Sequence, residues 1–247
     1  MKKCLLCDKN NNVTIYEFPE HNNKIVKCEC GFIYSTITER KDVDKAYLED
    51  YWTTYQINQG EKQIYDRIEE FESISDERMD FIKKFKESGK LLDVGCSMGF
   101  LVNSANKLGF DSYGIDLNKE CIEYGIKKYS PIKLYDVSLE DFNENFFDVI
   151  CSFNVIEHLD NPEVFLEMCY SKLNEDGIIV IGTHDIESNT HKTLGSDWKQ
   201  ITKDGDHLYY FSIDTMEKLG LKCGLEKFWV NKPIDPSFTF YFKKIKK

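Results

Sequence analysis

Ten residues carry the strongest chemical signal in this chain: Leu91-Leu92-Asp93-Val94-Gly95-Cys96-Ser97-Met98-Gly99-Phe100. An apolar run reads as a buried strand that ends in a turn, with Gly95 and Gly99 four residues apart and a helix to follow. Glycine in such a turn admits positive φ and lets the backbone approach a ligand closely. In open α/β sheets, ligands bind beyond the carboxyl ends of the strands. The next apolar run ends at Gly114-Ile115-Asp116, 21 residues after Gly95 (116 − 95). A carboxylate there can accept hydrogen bonds from both hydroxyls of a ribose. A dinucleotide loop spaces its glycines as G-x-G-x-x-G to admit a pyrophosphate. The spacing here is D-x-G-x-x-x-G, and Asp93 would repel a phosphate. The pattern suits a nucleoside ligand with an ammonium or sulfonium group and reads against a nicotinamide-dependent oxidoreductase.

Two further sets could do chemistry. Cys4-x-x-Cys7 and Cys28-x-Cys30-Gly31 place four thiols in the first 30 residues. Tetrahedral zinc takes four such ligands, and a segment of about 40 residues cannot build its own core unaided. Zinc binding supplies on the order of 10–16 kcal/mol to a finger-sized fold. The second pair is Cys-x-Cys rather than Cys-x-x-Cys, which leaves reduced, unliganded thiols as the alternative. Cys96, Cys121, Cys151, Cys169 and Cys223 are scattered singly and read as small apolar fillers. The other set is histidine. His158 follows Glu157 at a helix start, His184 follows a strand at the carboxyl edge of the sheet, and His207 precedes an aromatic run. Each is a candidate general base, weighed against a positioning or core role. His21 and His191 read as loop residues.

The elements that must position these groups fall into three zones. Residues 1–40 are Cys-paired with short β-like runs, Val13 to Phe18 and Gly31 to Thr36. Residues 41–89 read as a helical linker or lid. There Val43 to Tyr55 is tyrosine-rich, and Glu61 to Phe85 spaces Ile64, Ile68, Phe71, Ile74 and Phe81 as a helix does. From residue 90 to 247 short strands alternate with amphipathic helices. Strands are expected over Leu91–Val94, Ser112–Ile115, Ile132–Tyr135, Phe147–Phe153, Gly177–Thr183, Leu225–Val230 and Phe238–Lys243. Helices are expected over Gly99–Leu108, Lys119–Lys128, Asn161–Leu173 and Ser212–Leu219. Such alternation implies a mostly parallel sheet with helices on both faces.

With these residues in view, the region from about 90 to 245 resembles the class I S-adenosylmethionine-dependent methyltransferases. The likeness rests on the glycine turn, on Phe146-Phe147-Asp148-Val149-Ile150, on Asn154-Val155-Ile156-Glu157-His158-Leu159 with Asn161-Pro162, and on Leu173-Asn174-Glu175-Asp176-Gly177. It resumes at Trp198 and at His207-Leu208-Tyr209-Tyr210-Phe211-Ser212. Met98 departs from the second glycine usual inside the turn, and Thr183-His184 replaces a frequent Pro-Asn pair. The resemblance implies a Rossmann-like, seven-stranded sheet, with a small zinc-ribbon-like module before it. It implies that Asp93, Gly95 and Cys96 line the methionine part of the cofactor and the approach to its sulfonium, with Gly99 completing the cofactor-binding turn. Asp116 would bind the ribose, and Leu117 would pack on adenine. Asp136, Val137 and Ser138 would lie at the adenine edge, and the Asn154 carbonyl would meet the methionine amine. The N-terminal layout resembles bacterial methyltransferases with a zinc ribbon that act on sugars or nucleotide-linked sugars. There an aromatic segment like Tyr47, Tyr51, Trp52 and Tyr55 helps to close the active site.

Composition narrows the acceptor. Net charge is −11 and the chain has only three arginines, Arg40, Arg67 and Arg78, so a long polyanion such as RNA fits poorly. No run approaches the roughly 20 apolar residues of a membrane helix. The N-terminus lacks the apolar core of a signal peptide, so a cytoplasmic location is expected. The reading is a methyltransferase for a small molecule, such as a sugar, a nucleotide-linked sugar or a surface-polysaccharide precursor. The competing readings are an RNA or protein methyltransferase that uses the ribbon for recognition, and a non-catalytic cofactor-binding scaffold.

Overall fold

The computed structural model describes residues 2–37, 64–232 and 235–246. Tyr47, Tyr51, Trp52 and Tyr55, and the helix expected over 43–55, lie outside the described residues. The chain divides into two compact units. One gathers the described residues among 1–40, 153–171 and 178–247; the other gathers those among 41–152 and 172–177.

In the first unit the N-terminal strands are β1 (Asn12–Phe18), β2 (Asn23–Cys28) and β3 (Ile33–Ser35). They form an antiparallel meander. β2 was not legible because Lys24 and Lys27 interrupt its apolar residues. Its burial does not alternate either, since Asn23, Ile25, Val26 and Cys28 are all buried and only the two lysines are exposed. A fourth strand, β9 (Tyr209–Tyr210), comes from far along the chain and pairs with β3, Ile33 opposite Tyr210 and Tyr34 opposite Tyr209. The core under this sheet holds Phe18, Ile25, Ile33, Ile186, Trp198, Ile201 and Tyr210. Burial at this scale is worth roughly 1.5–3 kcal/mol per large side chain. Substitution of Trp198 should therefore loosen the sheet and the segment that carries His207 together.

The larger sheet has the strand order β10-β11-β8-β7-β4-β5-β6. Its strands are β4 (Lys90–Val94), β5 (Asp111–Ile115), β6 (Lys133–Tyr135), β7 (Phe147–Phe153), β8 (Leu173–His184), β10 (Leu225–Asn231) and β11 (Ser237–Lys244). β4, β5, β6 and β7 are parallel, whereas β11 runs antiparallel to both β8 and β10. The sheet is thus mostly parallel, as expected, and helices flank it. They are α1 (Ile68–Ile82), α2 (Phe100–Lys107), α3 (Lys119–Tyr129), α4 (Pro162–Lys172), α5 (Asn189–Leu194) and α6 (Ile213–Lys222). Among the described residues no helix is long and apolar enough to cross a membrane.

Two expectations need correction. The helix expected over 61–85 is a 3-10 turn, Ile64–Arg67, followed by α1. Its buried face is Ser75, Met79 and Ile82, while Phe71, Ile74 and Phe81 are only partly covered. The sparse apolar residues of the segment fit more than one helical stripe, and packing chose the stripe around Met79. The fifth strand begins not at Gly177 but at Leu173, directly after α4. The polar Asn174-Glu175-Asp176 hid the strand's start. Asn174 is held there by its amide donating to Asp148 Oδ1 at 2.8 Å.

Candidate functional site

The glycine turn follows β4 because the chain must leave a buried strand and enter α2 within five residues. Gly95 and Gly99 both sit at φ +77°, and Ser97 takes φ +51° without being glycine. Such a conformation costs a non-glycine residue energy unless it is held in place. The hold is Asp116: its Oδ2 accepts the Ser97 N–H at 2.8 Å, and its Oδ1 accepts the Asn118 N–H at 2.8 Å. Asn118 in turn caps α3 by accepting the Cys121 N–H. The Gly95 and Cys96 N–H groups both donate to the Ile115 carbonyl. One carboxylate therefore ties the turn, the end of β5 and the start of α3 into one rigid corner.

Met98 explains its departure from the family pattern. It is fully buried and packs with Phe100 and Cys121 beneath Ile68 and Phe71. Cys96 points into the core beside Val102, Ile122 and Leu134. Its thiol therefore faces away from any ligand at the turn, and only its backbone remains there.

The electrostatics of this corner fit the cofactor that the sequence pattern implies. Asp93 is 5% exposed. Burial pushes its carboxyl up to about 7, against the pull of Arg78 and with the push of Asp116. Asp116 is raised too, by burial that outweighs the backbone N–H groups of Asn118, Ser97 and Leu117. Each carboxylate oxygen can accept two hydrogen bonds, so Asp116 keeps acceptor capacity for a ribose hydroxyl. A sulfonium or ammonium group near Asp93 would offset its desolvation. Leu117 is 56% exposed directly after Asp116, an open apolar face. Asp136 is exposed just past β6, where the Asp116 N–H donates to the Tyr135 carbonyl. Val137 is half-buried, and Ser138 is committed to a local turn through Asp141. In the other unit, Asn154 ends β7 exposed and left-handed at φ +56°, its N–H donating to Gly182.

The four N-terminal thiols converge. Cys4 and Cys30 Sγ lie 3.4 Å apart, as do Cys7 and Cys28, and all four lie within 4.8 Å of one another. A zinc–thiolate tetrahedron with bonds of about 2.3 Å has edges of about 3.8 Å, so the set needs little adjustment to hold zinc. Two tight turns shape it, with Asp8 at φ +57° and Gly31 at φ +94°. The Asp8 N–H reaches the Cys4 carbonyl and the Gly31 N–H the Cys28 carbonyl. The shorter second pair closes because Gly31 admits that left-handed bend.

The histidine candidates also gather, all within the first unit. The rings of His158 and His207 are 4.5 Å apart, and those of His184 and His207 are 6.0 Å apart. His158 is charged most readily. Burial opposes its charge, but Asp206 beside Nδ1, at 3.3 Å, wins and raises its pKa. Burial and the neighbouring His158 lower His184 to about 4 and push His207 well below the usual range. Both are therefore neutral at neutral pH. His184, His207 and Glu157 line one cavity with Trp198, Gln200 and Tyr210. Glu157 was not singled out as a functional residue from the sequence; the signal available was its place beside His158. His191 is no loop ornament. It bonds the Tyr16 hydroxyl and the Ile186 carbonyl, tying α5 to the module.

A family model described as Methyltransferase domain matches residues 65–228. The chain is 26% identical over 201 residues to a ubiquinone biosynthesis O-methyltransferase of Actinobacillus pleuropneumoniae serotype 7, covering 67% of this chain and 85% of that one. A ubiquinone biosynthesis O-methyltransferase of Glaesserella parasuis serovar 5 is 30% identical over 180 residues, covering 60% of this chain and 76% of that one. Among solved structures, magnesium protoporphyrin IX methyltransferase from Synechocystis PCC 6803, with bound SAH, superposes with a TM-score of 0.64 at 12% identity. It covers 83% of this chain and all of that one, a likeness of fold.

Proposed function

This chain belongs to the Methyltransferase domain family and is an S-adenosylmethionine-dependent methyltransferase, and from that premise we propose that it methylates a hydroxyl of a small, sugar-like or nucleotide-linked molecule. The observation that carries this reading is the gathering of His158, His184 and His207 beside Trp198 and Tyr210, with His184 and His207 held neutral, which offers uncharged hydrogen-bonding groups to an acceptor hydroxyl. The formal charge of −11 supports a small acceptor over RNA.

The proposed roles rest on the family resemblance and are supported by the geometry of the corner. The cofactor supplies an activated methyl group on sulfur. Asp116 accepts the ribose hydroxyls, Asp93 faces the cationic end, Gly95 and Gly99 let the backbone come close, and Leu117 covers adenine. Asp136, Val137 and Ser138 complete the cradle within that unit. His184 acts on the acceptor. Its Nδ1 lies 3.2 Å from Ser237 Oγ, and its neutral ring can take a hydrogen bond from the hydroxyl. A histidine near pKa 4 is a weak proton store, so it orients that hydroxyl more than it ionises it. Alignment supplies most of the rate, roughly 7–11 kcal/mol in favourable cases. Cys4, Cys7, Cys28 and Cys30 hold a structural zinc ion.

A second acceptor reading, a ubiquinone precursor, is favoured by the similarity to the two ubiquinone biosynthesis O-methyltransferases. One experiment separates the readings. Methyl-labelled S-adenosylmethionine is incubated with the chain and a size-fractionated extract of the source organism. Label in a small polar metabolite supports the sugar reading, and label in the lipid-soluble fraction moves the acceptor to quinone precursors. Label in RNA or protein overturns the small-molecule class. Elemental analysis of freshly purified protein should find zinc near one equivalent or more, and its absence would remove the zinc assignment.

A further inference from the structure

Glu157 is 2% exposed, and among the described residues neither of its carboxylate oxygens has a hydrogen bond of ordinary geometry. A buried carboxylate left in that state costs several kcal/mol unless it has a charged partner or a metal. Its neighbours supply the reason for tolerating it. One ligand atom each from Glu157, His158 and His207 lies within 4.8 Å of the others. Both rings are pinned from behind. His158 Nδ1 lies 3.0 Å from the Asp206 carbonyl and 3.3 Å from Asp206 Oδ1. His207 Nδ1 lies 2.9 Å from the Gln200 carbonyl. A ring nitrogen facing a carbonyl must carry the hydrogen, which leaves each Nε2 as the lone-pair side. Metal-binding histidines are oriented in this way, the far N–H held by a carbonyl or carboxylate.

We propose that Glu157, His158 and His207 form a second metal site, distinct from the cysteine set, that takes a divalent transition-metal ion with two imidazoles and one carboxylate. Three protein ligands are fewer than a closed tetrahedral site uses, so a position stays open for an oxygen ligand. Glu157 and His207 both line the cavity described above, which places that position at the cavity wall. The positions of the ligands are fixed by backbone. The Leu208 N–H donates to the Glu157 carbonyl at 2.9 Å, locking the His207 segment to the Glu157–His158 turn. If the proposed hydroxyl acceptor is right, the ion would also acidify that hydroxyl, which suits a neighbourhood whose histidine is a weak base. That consequence rests on the functional proposal, whereas the metal site does not.

The test is a cobalt(II) titration of the full, metal-stripped chain, with no turnover involved. Thiolate ligands give a strong charge-transfer absorption, and imidazole and carboxylate ligands give only the weaker visible bands. Wild type should take up two equivalents with distinct spectra. Glu157→Gln and His207→Asn should each lose the equivalent without charge transfer and keep the other. A Cys7→Ser, Cys30→Ser double variant should show the reverse. Asp206→Asn, which keeps the backbone carbonyl on His158 Nδ1 and removes only the carboxylate charge beside it, should weaken the second equivalent by no more than about 10-fold. Glu157→Gln keeps the side chain's shape and removes an unsatisfied charge, so circular dichroism should show its fold intact. A wild type that binds cobalt with charge transfer only, or a second equivalent that survives both Glu157→Gln and His207→Asn, overturns the site. Methyl transfer that proceeds unchanged in metal-free protein would leave the site standing and remove its role in activating the acceptor.

Discussion

Asp93 offers the sharpest quantitative test, because the cofactor turn begins at a carboxyl that folding has made hard to ionise. The perturbation is Asp93→Asn, which keeps shape and removes the titration. Burial raises this carboxyl from 3.8 to about 7. A raised acid binds its proton more tightly in the folded state, so its favourable contribution is complete below the unfolded pKa and is lost as pH climbs through the folded one. Three units at 1.36 kcal/mol each make a full cost of about 4 kcal/mol above neutrality. About 3 kcal/mol of that falls between roughly pH 5 and pH 8.5. Urea unfolding of cofactor-free wild type and variant at those two pH values gives the check. The stability difference, variant minus wild type, should grow by about 3 kcal/mol on going to the higher pH. Titrating groups that do not interact with Asp93 cancel in that difference. A difference that is flat with pH would show that Asp93 is ionised at little cost, and the corner would then lack the desolvated acid on which the cofactor argument depends. The functional corollary is that a cationic ligand prefers the ionised form, so wild-type affinity for S-adenosylmethionine should rise over the same window while that of Asp93→Asn stays level.

Three further outcomes follow from local geometry. Asp116→Ala leaves the Ser97 and Asn118 N–H groups and the ribose without their acceptor, and cofactor affinity measured by calorimetry should fall by about 1–3 kcal/mol. Unchanged affinity would mean that the ribose binds elsewhere. Gly125→Ala on α3 would put a Cβ 2.3 Å from the Met98 carbonyl of the glycine turn. It should therefore lower stability by about 1–3 kcal/mol in thermal melts despite the better helix former, and should weaken cofactor binding as well. Ser212→Ala removes one half of the reciprocal cap that Ser212 and Thr215 form at the start of α6. Denaturant unfolding should register a loss of about 0.5–2 kcal/mol with no change in cofactor affinity.

What the sequence disclosed was whatever is written locally. The strand ending at Val94, the glycine pair and the acid after β5 are consecutive along the chain, so their chemistry could be read from spacing. The four cysteines were legible as two short pairs for the same reason. The helix over 68–82 was legible as a helix but not in its facing, because its apolar residues are few and the stripe is decided by α2, its neighbour in the fold. β9 was not legible. Two tyrosines have no periodicity, and they become a strand only because β3 offers an edge to pair with. Glu157 and His207 are 50 residues apart (207 − 157), and nothing in either neighbourhood announces the other. Their meeting is produced by one backbone hydrogen bond, from Leu208 to Glu157, and by the sheet that holds the residues after it.

That last point bears on what the cysteine module does. The Ser35 N–H donates to the Leu208 carbonyl while the Leu208 N–H donates to Glu157. Leu208 is therefore pinned from both sides, by a module strand and by the turn that carries Glu157 and His158. Phe32, two residues past Cys30, stacks on Tyr209 with ring centres 5.7 Å apart, and packs at a tilt against Phe211 at 5.5 Å. Lys218 and Lys222 of α6 donate to the Cys30 and Leu5 carbonyls, so the helix that follows the histidine segment also grips the cysteine turns. A bare two-residue strand would not hold its place by itself, since an isolated pair of strands is marginal in water. The module supplies the missing edge. Cys28 ends β2 and Cys30 lies in the turn before β3, while Cys4 and Cys7 precede β1, so a metal bound by all four would fix the strand that fixes Leu208. In this arrangement the N-terminal module is part of the scaffold of the histidine cavity, a structural role that does not depend on what the module recognises.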